Sequence, residues 1–416
     1  MRIKLFKILP NVLLLIVSFL FSLVLAEMFL RLAYPKYKLA AESRQIVNST
    51  RVWETAPNSK FFHRHPDLGT KILIIYNSLG LRQHREFALK KPEGVIRIGL
   101  FGDSNLENRN LEVQYSLTEP LDYLLNKTGK KFEVLNFGTS GYGPEQEYMY
   151  YLQEGVRLGL DVVFLVYCEN DLKDSCEVDL LEIDKEENIK LKPFQNNKFN
   201  LLINKFHITY LIINFRSKLE EALFGDNDVM DQKKSSFQKK ARRRVSKMRK
   251  RHRCKNIRRK FYQGIITPDV SERLDIFMAI LSKMKNMCKD SGGQFYIATW
   301  ELYRKTKMSG FLKQRQYEVI DFFDKFDSVK DRSTCTFKND GHWNEEGNKL
   351  AAVFLFKFLA DKLSIDYNGD AFIEQSLYEY YSSFDLSRVS NIFLRQHFDF
   401  PSTLKDDIRD RYLALE

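Results

Sequence analysis

Three residue types in this chain, at the right places, would suit acyl transfer. Val95 to Gly102 is an apolar run that stops at Gly102-Asp103-Ser104, which reads as a buried strand delivering a serine at its carboxyl end. Acyl transfer needs such a nucleophile, a base within hydrogen-bonding reach, a group orienting that base, and donors for the developing oxyanion. Among the 7 histidines, His342 alone follows an acidic residue by two positions in a loop before a helix, which makes it the best base. Asp340 is placed to orient the Nδ1 proton of His342 and to stabilise its imidazolium. Asp103 reads as a loop-fixing hydrogen bonder.

The elements that must position these residues alternate between strand and helix. After Ser104, the leucines at 117, 121, 124 and 125 mark one helix face over Tyr115 to Lys127. Lys131 to Phe137 alternates as a strand and ends in Gly138-Thr139-Ser140-Gly141. A helix over Glu145 to Gly155 precedes Asp161 to Tyr167, a nearly continuous apolar run of the kind found in parallel strands covered on both faces. That run ends in Cys168-Glu169-Asn170-Asp171. Further on, Pro268 opens a helix that stops near Ser291-Gly292-Gly293, and Gln294 to Thr299 is a strand. Tyr303 to Asp327 reads as polar and mainly helical, and Gly347 to Leu363 as a strongly apolar helix. Strands alternating with helices predict a doubly wound parallel sheet whose strand ends converge on one crevice.

Four of those ends carry recognisable blocks: Gly102-Asp103-Ser104, Asn136-Phe137-Gly138-Thr139-Ser140-Gly141, Glu169-Asn170-Asp171 and Asp340-Gly341-His342-Trp343-Asn344. In content and order they resemble the blocks of the SGNH (GDSL-like) hydrolase superfamily, over roughly 95–172 and 268–363. The resemblance implies a three-layer α/β/α fold around a flavodoxin-like parallel sheet. It implies a catalytic triad of Ser104, His342 and Asp340, with an oxyanion hole made by the backbone N–H groups of Ser104 and Gly141 and the side chain of Asn170. It calls for no metal and no cofactor. Two departures stand out: Cys168-Glu169 where the family usually has glycine, and Asn105 where leucine commonly follows the serine. They bear on the shape of the substrate site.

The amino terminus has a separate role. From Ile8 to Leu30 the only polar residues are Asn11, Ser18, Ser22 and Glu27, enough apolar chain for the ~30 Å hydrocarbon core of a bilayer. Arg2, Lys4 and Lys7 precede the run, so the positive-inside rule keeps the amino terminus in the cytoplasm and the remainder outside it, at the cell (inner) membrane. A cleavable signal peptide is the alternative; against it, the apolar run continues past Val24-Leu25-Ala26 through Met28-Phe29-Leu30.

The chain of 416 residues is therefore read as an anchor (1–33), a juxtamembrane linker (34–66), a first SGNH part (67–173), an insertion (174–267), a second SGNH part (268–365) and a C-terminal extension (366–416). Within the insertion, Leu201 to Leu223 is apolar at helical spacing. The net charge of +12 is local: 233–260 holds 16 Lys/Arg and no Asp/Glu, which leaves the rest at −4. The basic run lacks the aromatic interleaving that stacks bases, so no nucleic acid is expected; contact with anionic lipid suits it better. Five cysteines leave at least one unpaired, and no CxxC pair suggests zinc.

These readings lead to a membrane-anchored extracytoplasmic serine esterase acting on O-acyl groups, acetyl above all, of a small molecule or polysaccharide. Two alternatives remain. The polysaccharide O-acetyltransferases share a similar Asp-x-His-Trp block, and a non-catalytic glycan-assembly module could keep the fold. The intact Ser104, Asp340, His342 and Asn170 argue against the second.

Overall fold

The structure is a computed structural model that describes residues 2–33, 45–48, 50–186, 188–192, 245–301, 307–329 and 332–384. The apolar segment Leu201 to Leu223, the part of the basic run before Val245 and the chain after 384 lie outside the described residues. In chain order the strands are β1 (Gln45–Asn48), β2 (Val52–Thr55), β3 (Lys60–Arg64), β4 (Lys71–Ile75), β5 (Val95–Gly102), β6 (Lys131–Gly138), β7 (Val162–Cys168), β8 (Leu181–Ile183), β9 (Ile189–Leu191), β10 (Gln294–Trp300) and β11 (Val319–Asp321). The chain divides into two units: 1–61 with 75–86 and 176–256, and 62–74 with 87–175 and 257–416.

The first unit opens with helix Arg2–Ala33, of which Leu13–Ala33 is long and apolar enough to cross a membrane. From Leu13 onwards most of its large apolar side chains stand exposed, as a lipid-facing surface would, while Leu30 is buried. Residues 45–64, read from the sequence as linker, hold three strands; β1 and β2 form an antiparallel pair with Gln45 opposite Thr55. A second antiparallel pair, β8 with β9, follows, and a disulfide joins Cys176 to Cys254.

The second unit contains a five-stranded sheet of order β11-β10-β7-β5-β6, with parallel pairings throughout. Counted along the chain, that order is the flavodoxin-like 2-1-3-4-5, whose switch point lies beside the first strand, here β5. Helices Thr118–Lys127, Glu345–Lys362 and Gly369–Ser382 pack together against one face. Helices Pro144–Tyr150 and Pro268–Asp290 pack together on the other. The fold is thus the expected three-layer α/β/α arrangement. All seven residues of β7 are buried, which explains its unbroken apolar sequence. One element departs from the sequence reading. Within Tyr303–Asp327, read as mainly helical, lies β11, whose three residues are too few for a period-2 pattern to register.

One charged group crosses the core at the base of the sheet. Arg97 is fully buried; its guanidinium pairs with Glu133 at 2.6 Å and donates to the carbonyls of Leu158 (2.8 Å) and Ala88 (2.6 Å). A charge so placed is tolerated because each face of the fork meets an acceptor.

Candidate active site

The serine is presented by a tight turn. β5 ends at Gly102, and Ser104 begins the four-residue helix Ser104–Glu107, capped by the Asp103 carboxylate, which accepts from the Asn105 N–H at 2.9 Å. The turn is fixed against β6, where Asn136 donates from its side chain to the Leu106 carbonyl at 3.0 Å. Gly138 is needed there for space: a Cβ would stand 2.4 Å from the Glu107 backbone nitrogen. Gly141 is needed for conformation, with φ of +80°.

The histidine arrives from the far end of the chain. Trp343 is buried, its ring 5.3 Å from Trp300 and 5.2 Å from Phe322, so it plugs the following helix into the core. Asn108, left-handed at φ +43°, donates from its side chain to the Trp343 carbonyl at 2.9 Å and joins the serine turn to the histidine loop. His342 Nε2 then lies 2.7 Å from Ser104 Oγ, and Nδ1 hydrogen-bonds Asp340. With Nδ1–H directed at the carboxylate, Nε2 is the acceptor for the serine proton.

Burial pushes the His342 pKa down, but the hydrogen bond and charge of Asp340, together with the charges of Asp103 and Glu107, outweigh it and hold the value above 6.5. The same hydrogen bond, chiefly, holds the Asp340 carboxyl below its ordinary range.

Of the three oxyanion donors implied by the resemblance, two are available. The backbone N–H groups of Ser104 and Gly141 have no hydrogen-bond partner among the described residues. The Asn170 amide is engaged, donating to Asp103 at 2.9 Å and to Asp174 at 2.7 Å. These carboxylates belong to a buried acidic cluster beneath the serine. Burial, reinforced by neighbouring carboxylates, raises Glu147 and Asp171 well above the usual range.

The two departures from the superfamily pattern contact one another. Asn105 and Cys168 are both buried, with Asn105 Nδ2 3.5 Å from Cys168 Sγ, and the thiol lies 3.2 Å from Asp103 Oδ1. Both thus lie against Asp103, the residue that caps the serine turn.

Sequence reasoning missed two supports of the site. Glu107, fully buried, accepts from the Ser140 N–H at 2.7 Å and from its hydroxyl, and so fixes the residue before Gly141. Asn110, buried, has its Oδ1 3.1 Å from His63 Nε2 and helps to hold the Asp340 carboxyl below its ordinary range. Neither carries a local signal, because each contact is made between separate strand ends.

No protein-family model and no curated protein matches the chain. Among solved structures, it is similar to a G-D-S-L family protein from Desulfitobacterium hafniense DCB-2 at 10% identity, with 63% of this chain and 98% of that one covered and a TM-score of 0.33. It is also similar to the lipase/acylhydrolase from Enterococcus faecalis at 14% identity, covering 66% and 100% with a TM-score of 0.28. An acetyl xylan esterase is similar at 14% identity, covering 63% and 99% with a TM-score of 0.24. By its sheet order, with three of the four blocks at strand ends and the fourth in the loop before helix Glu345–Lys362, the chain has an SGNH hydrolase-like fold.

Proposed function

We propose that this chain is a serine-dependent ester hydrolase acting on O-acyl groups, and that Ser104, His342 and Asp340 carry the chemistry. The observation that carries the reading is the 2.7 Å approach of His342 Nε2 to Ser104 Oγ, with Asp340 on the opposite ring nitrogen. In the first step Ser104 Oγ bonds to the acyl carbon while its proton passes to His342 Nε2. The oxyanion so formed meets the N–H groups of Ser104 and Gly141. Collapse breaks the ester C–O bond, and the departing alcohol takes the proton from His342. Water then attacks the acyl-serine with the same base and releases the acid.

An acetyl group on a carbohydrate is the substrate we favour, from the likeness of Asp340-Gly341-His342-Trp343 to the block of polysaccharide O-acetyltransferases. That likeness also supports a second reading, in which a sugar hydroxyl replaces water in the last step. Release of acetate from para-nitrophenyl acetate, with and without a sugar acceptor, separates the two. Ser104→Ala is expected to abolish turnover with the fold intact. An undiminished rate in that variant would sink the assignment.

We place the catalytic unit outside the cytoplasm, anchored by Arg2–Ala33. The basic residues Arg2, Lys4 and Lys7 support this sidedness, as does the Cys176–Cys254 disulfide, which oxidising compartments favour. For the basic run we propose contact with anionic lipid, to be tested as salt-dependent binding to anionic vesicles.

A further inference from the structure

The hairpin of β3 and β4 has two unlike faces. The strands are hydrogen-bonded neighbours, joined by a turn that the His65 N–H closes on the Thr70 carbonyl at 2.8 Å. On the inner face Ile72 and Ile74 are buried, and Phe61 and His63 are half-buried. The other face is exposed and holds Lys60, Phe62 and Arg64 from β3 with Lys71 and Leu73 from β4. Phe62 and Leu73 each lie three positions from the His65–Thr70 bond, on opposite strands, so they stand across from one another. Phe62 is 61% exposed and Leu73 43%.

A single exposed leucine needs no explanation, but an aromatic ring paired with a leucine and rimmed by cations does. Between Lys60 and Ile75 the only acidic residue is Asp67, and its carboxylate is turned to the Lys338 and Asn339 N–H groups, each at 2.9 Å. The exposed face thus presents Lys60, Arg64 and Lys71 around an apolar pair with no acid among them. An anionic bilayer answers both parts: its phosphates meet the cations, and its headgroup boundary takes the ring and the leucine. A second copy of the same face would set cation against cation. A bilayer is also within reach. Residues 34–61, 28 positions, join the apolar helix ending at Ala33 to Phe62, at most about 100 Å of chain. Such a tether makes docking an intramolecular event.

We infer that the exposed face of the β3–β4 hairpin docks on an anionic lipid surface, with Phe62 and Leu73 entering the headgroup boundary and Lys60, Arg64 and Lys71 meeting the phosphates. The inference rests on the reading of Arg2–Ala33 as a membrane anchor. Asp67 ties the tip of the hairpin to the loop that leads to Asp340 and His342, so docking brings that loop to the bilayer, where an O-acyl group held at the surface can be met.

The test uses the full chain with Leu73→Cys, labelled with an environment-sensitive fluorophore and reconstituted into vesicles of phosphatidylcholine alone or in an even mixture with phosphatidylglycerol, each carrying a lipid-borne quencher. Cys168, Cys288 and Cys335 are buried and Cys176 is bonded to Cys254, so the label goes to position 73. It should be quenched in the anionic vesicles and far less in the neutral ones, and added salt should relieve the quenching. Lys71→Ala in the same background should lower the ratio of docked to free hairpin about fivefold, and Phe62→Ser should remove most of the quenching. A label placed by Leu89→Cys should stay unquenched in both; Leu89 is 50% exposed, and its carbonyl meets Arg97, at the end of β5 away from Ser104. A label at position 73 no more quenched than that at position 89 overturns the inference. So does equal quenching in neutral and anionic vesicles, or a dimer cross-linked through position 73 without quenching, which gives the face to a second copy. The anchor reading is judged apart, by extracting the wild-type chain with alkaline carbonate: release from the vesicles overturns that reading, whereas docking of the hairpin is read from the quenching alone.

Discussion

His342 sits between burial, which disfavours the imidazolium, and three carboxylates, which favour it, and in this site the carboxylates win. As the proposed base, His342 must be neutral to take the serine proton, so kcat/KM should fall on acidification through an apparent pKa above 6.5. Asp340→Asn removes the largest of the raising contributions. The acid limb should therefore move to lower pH, while kcat drops by roughly 10²- to 10⁴-fold through a wrongly held tautomer and KM changes little. Stopped assays of hydrolysis across the pH range for wild type and Asp340→Asn would check both shifts; a wild-type profile flat through neutrality would exclude His342 as the base. The proposed triad of Ser104, His342 and Asp340 was legible in the sequence because each residue lies beside a local signal, an interrupted strand or an acid two positions from a histidine. Asp67 could not, since Lys338, whose amide it accepts, lies 271 positions along the chain.

At the scale of elements, long strands were legible and short ones were not. β7 and β5 are covered on both sides and spell out their burial, whereas β11 has three residues and borrows its place from β10 through the pairing of Ile297 with Val319. The end of β10 has its own consequence. Glu301, fully buried just beyond the strand, accepts from the Met308 N–H (2.8 Å) and the Ser309 N–H (3.1 Å), the start of helix Met308–Lys313, and from the Tyr262 hydroxyl at 2.8 Å. Burial outweighs these donors and pushes its pKa from 4.5 up to about 7. The folded chain thus holds this proton more tightly than the unfolded chain does. The contribution is fully present below about 4.5 and is lost as pH rises through about 7, a change on the order of 3 kcal/mol. Glu301→Gln should remove that part of the pH dependence, read as denaturant midpoints in mildly acidic and mildly alkaline buffer; an unchanged slope would show that the proton is not taken up there. The C-terminal helix Gly369–Ser382 shows the converse of legibility. It matches no motif, yet Leu377, Tyr380 and Tyr381 are buried in the main core, so Leu377→Ala should cost about 2–5 kcal/mol, visible as a lower Tm.

At the scale of the whole molecule, composition misleads until it is located. The net charge of +12 comes from one segment of 28 positions, 233–260, and the apolar surplus of the amino terminus comes from one helix. Neither belongs to the sheet that holds the site. The topology proposed from Arg2, Lys4 and Lys7 predicts that an exported reporter fused after Glu416 is active and a cytoplasmic one silent. The reverse pattern would turn the chain over in the membrane.

The Cys176–Cys254 bond closes a covalent ring around the 77 residues between them. Ser104 precedes that ring and His342 follows it. A protease that cuts once inside the ring therefore leaves the two halves of the proposed triad on separate polypeptides that are still one molecule. On a gel such a nicked protein should run as a single band until reductant is added and then part in two, with a serine-bound label travelling only with the amino-terminal fragment.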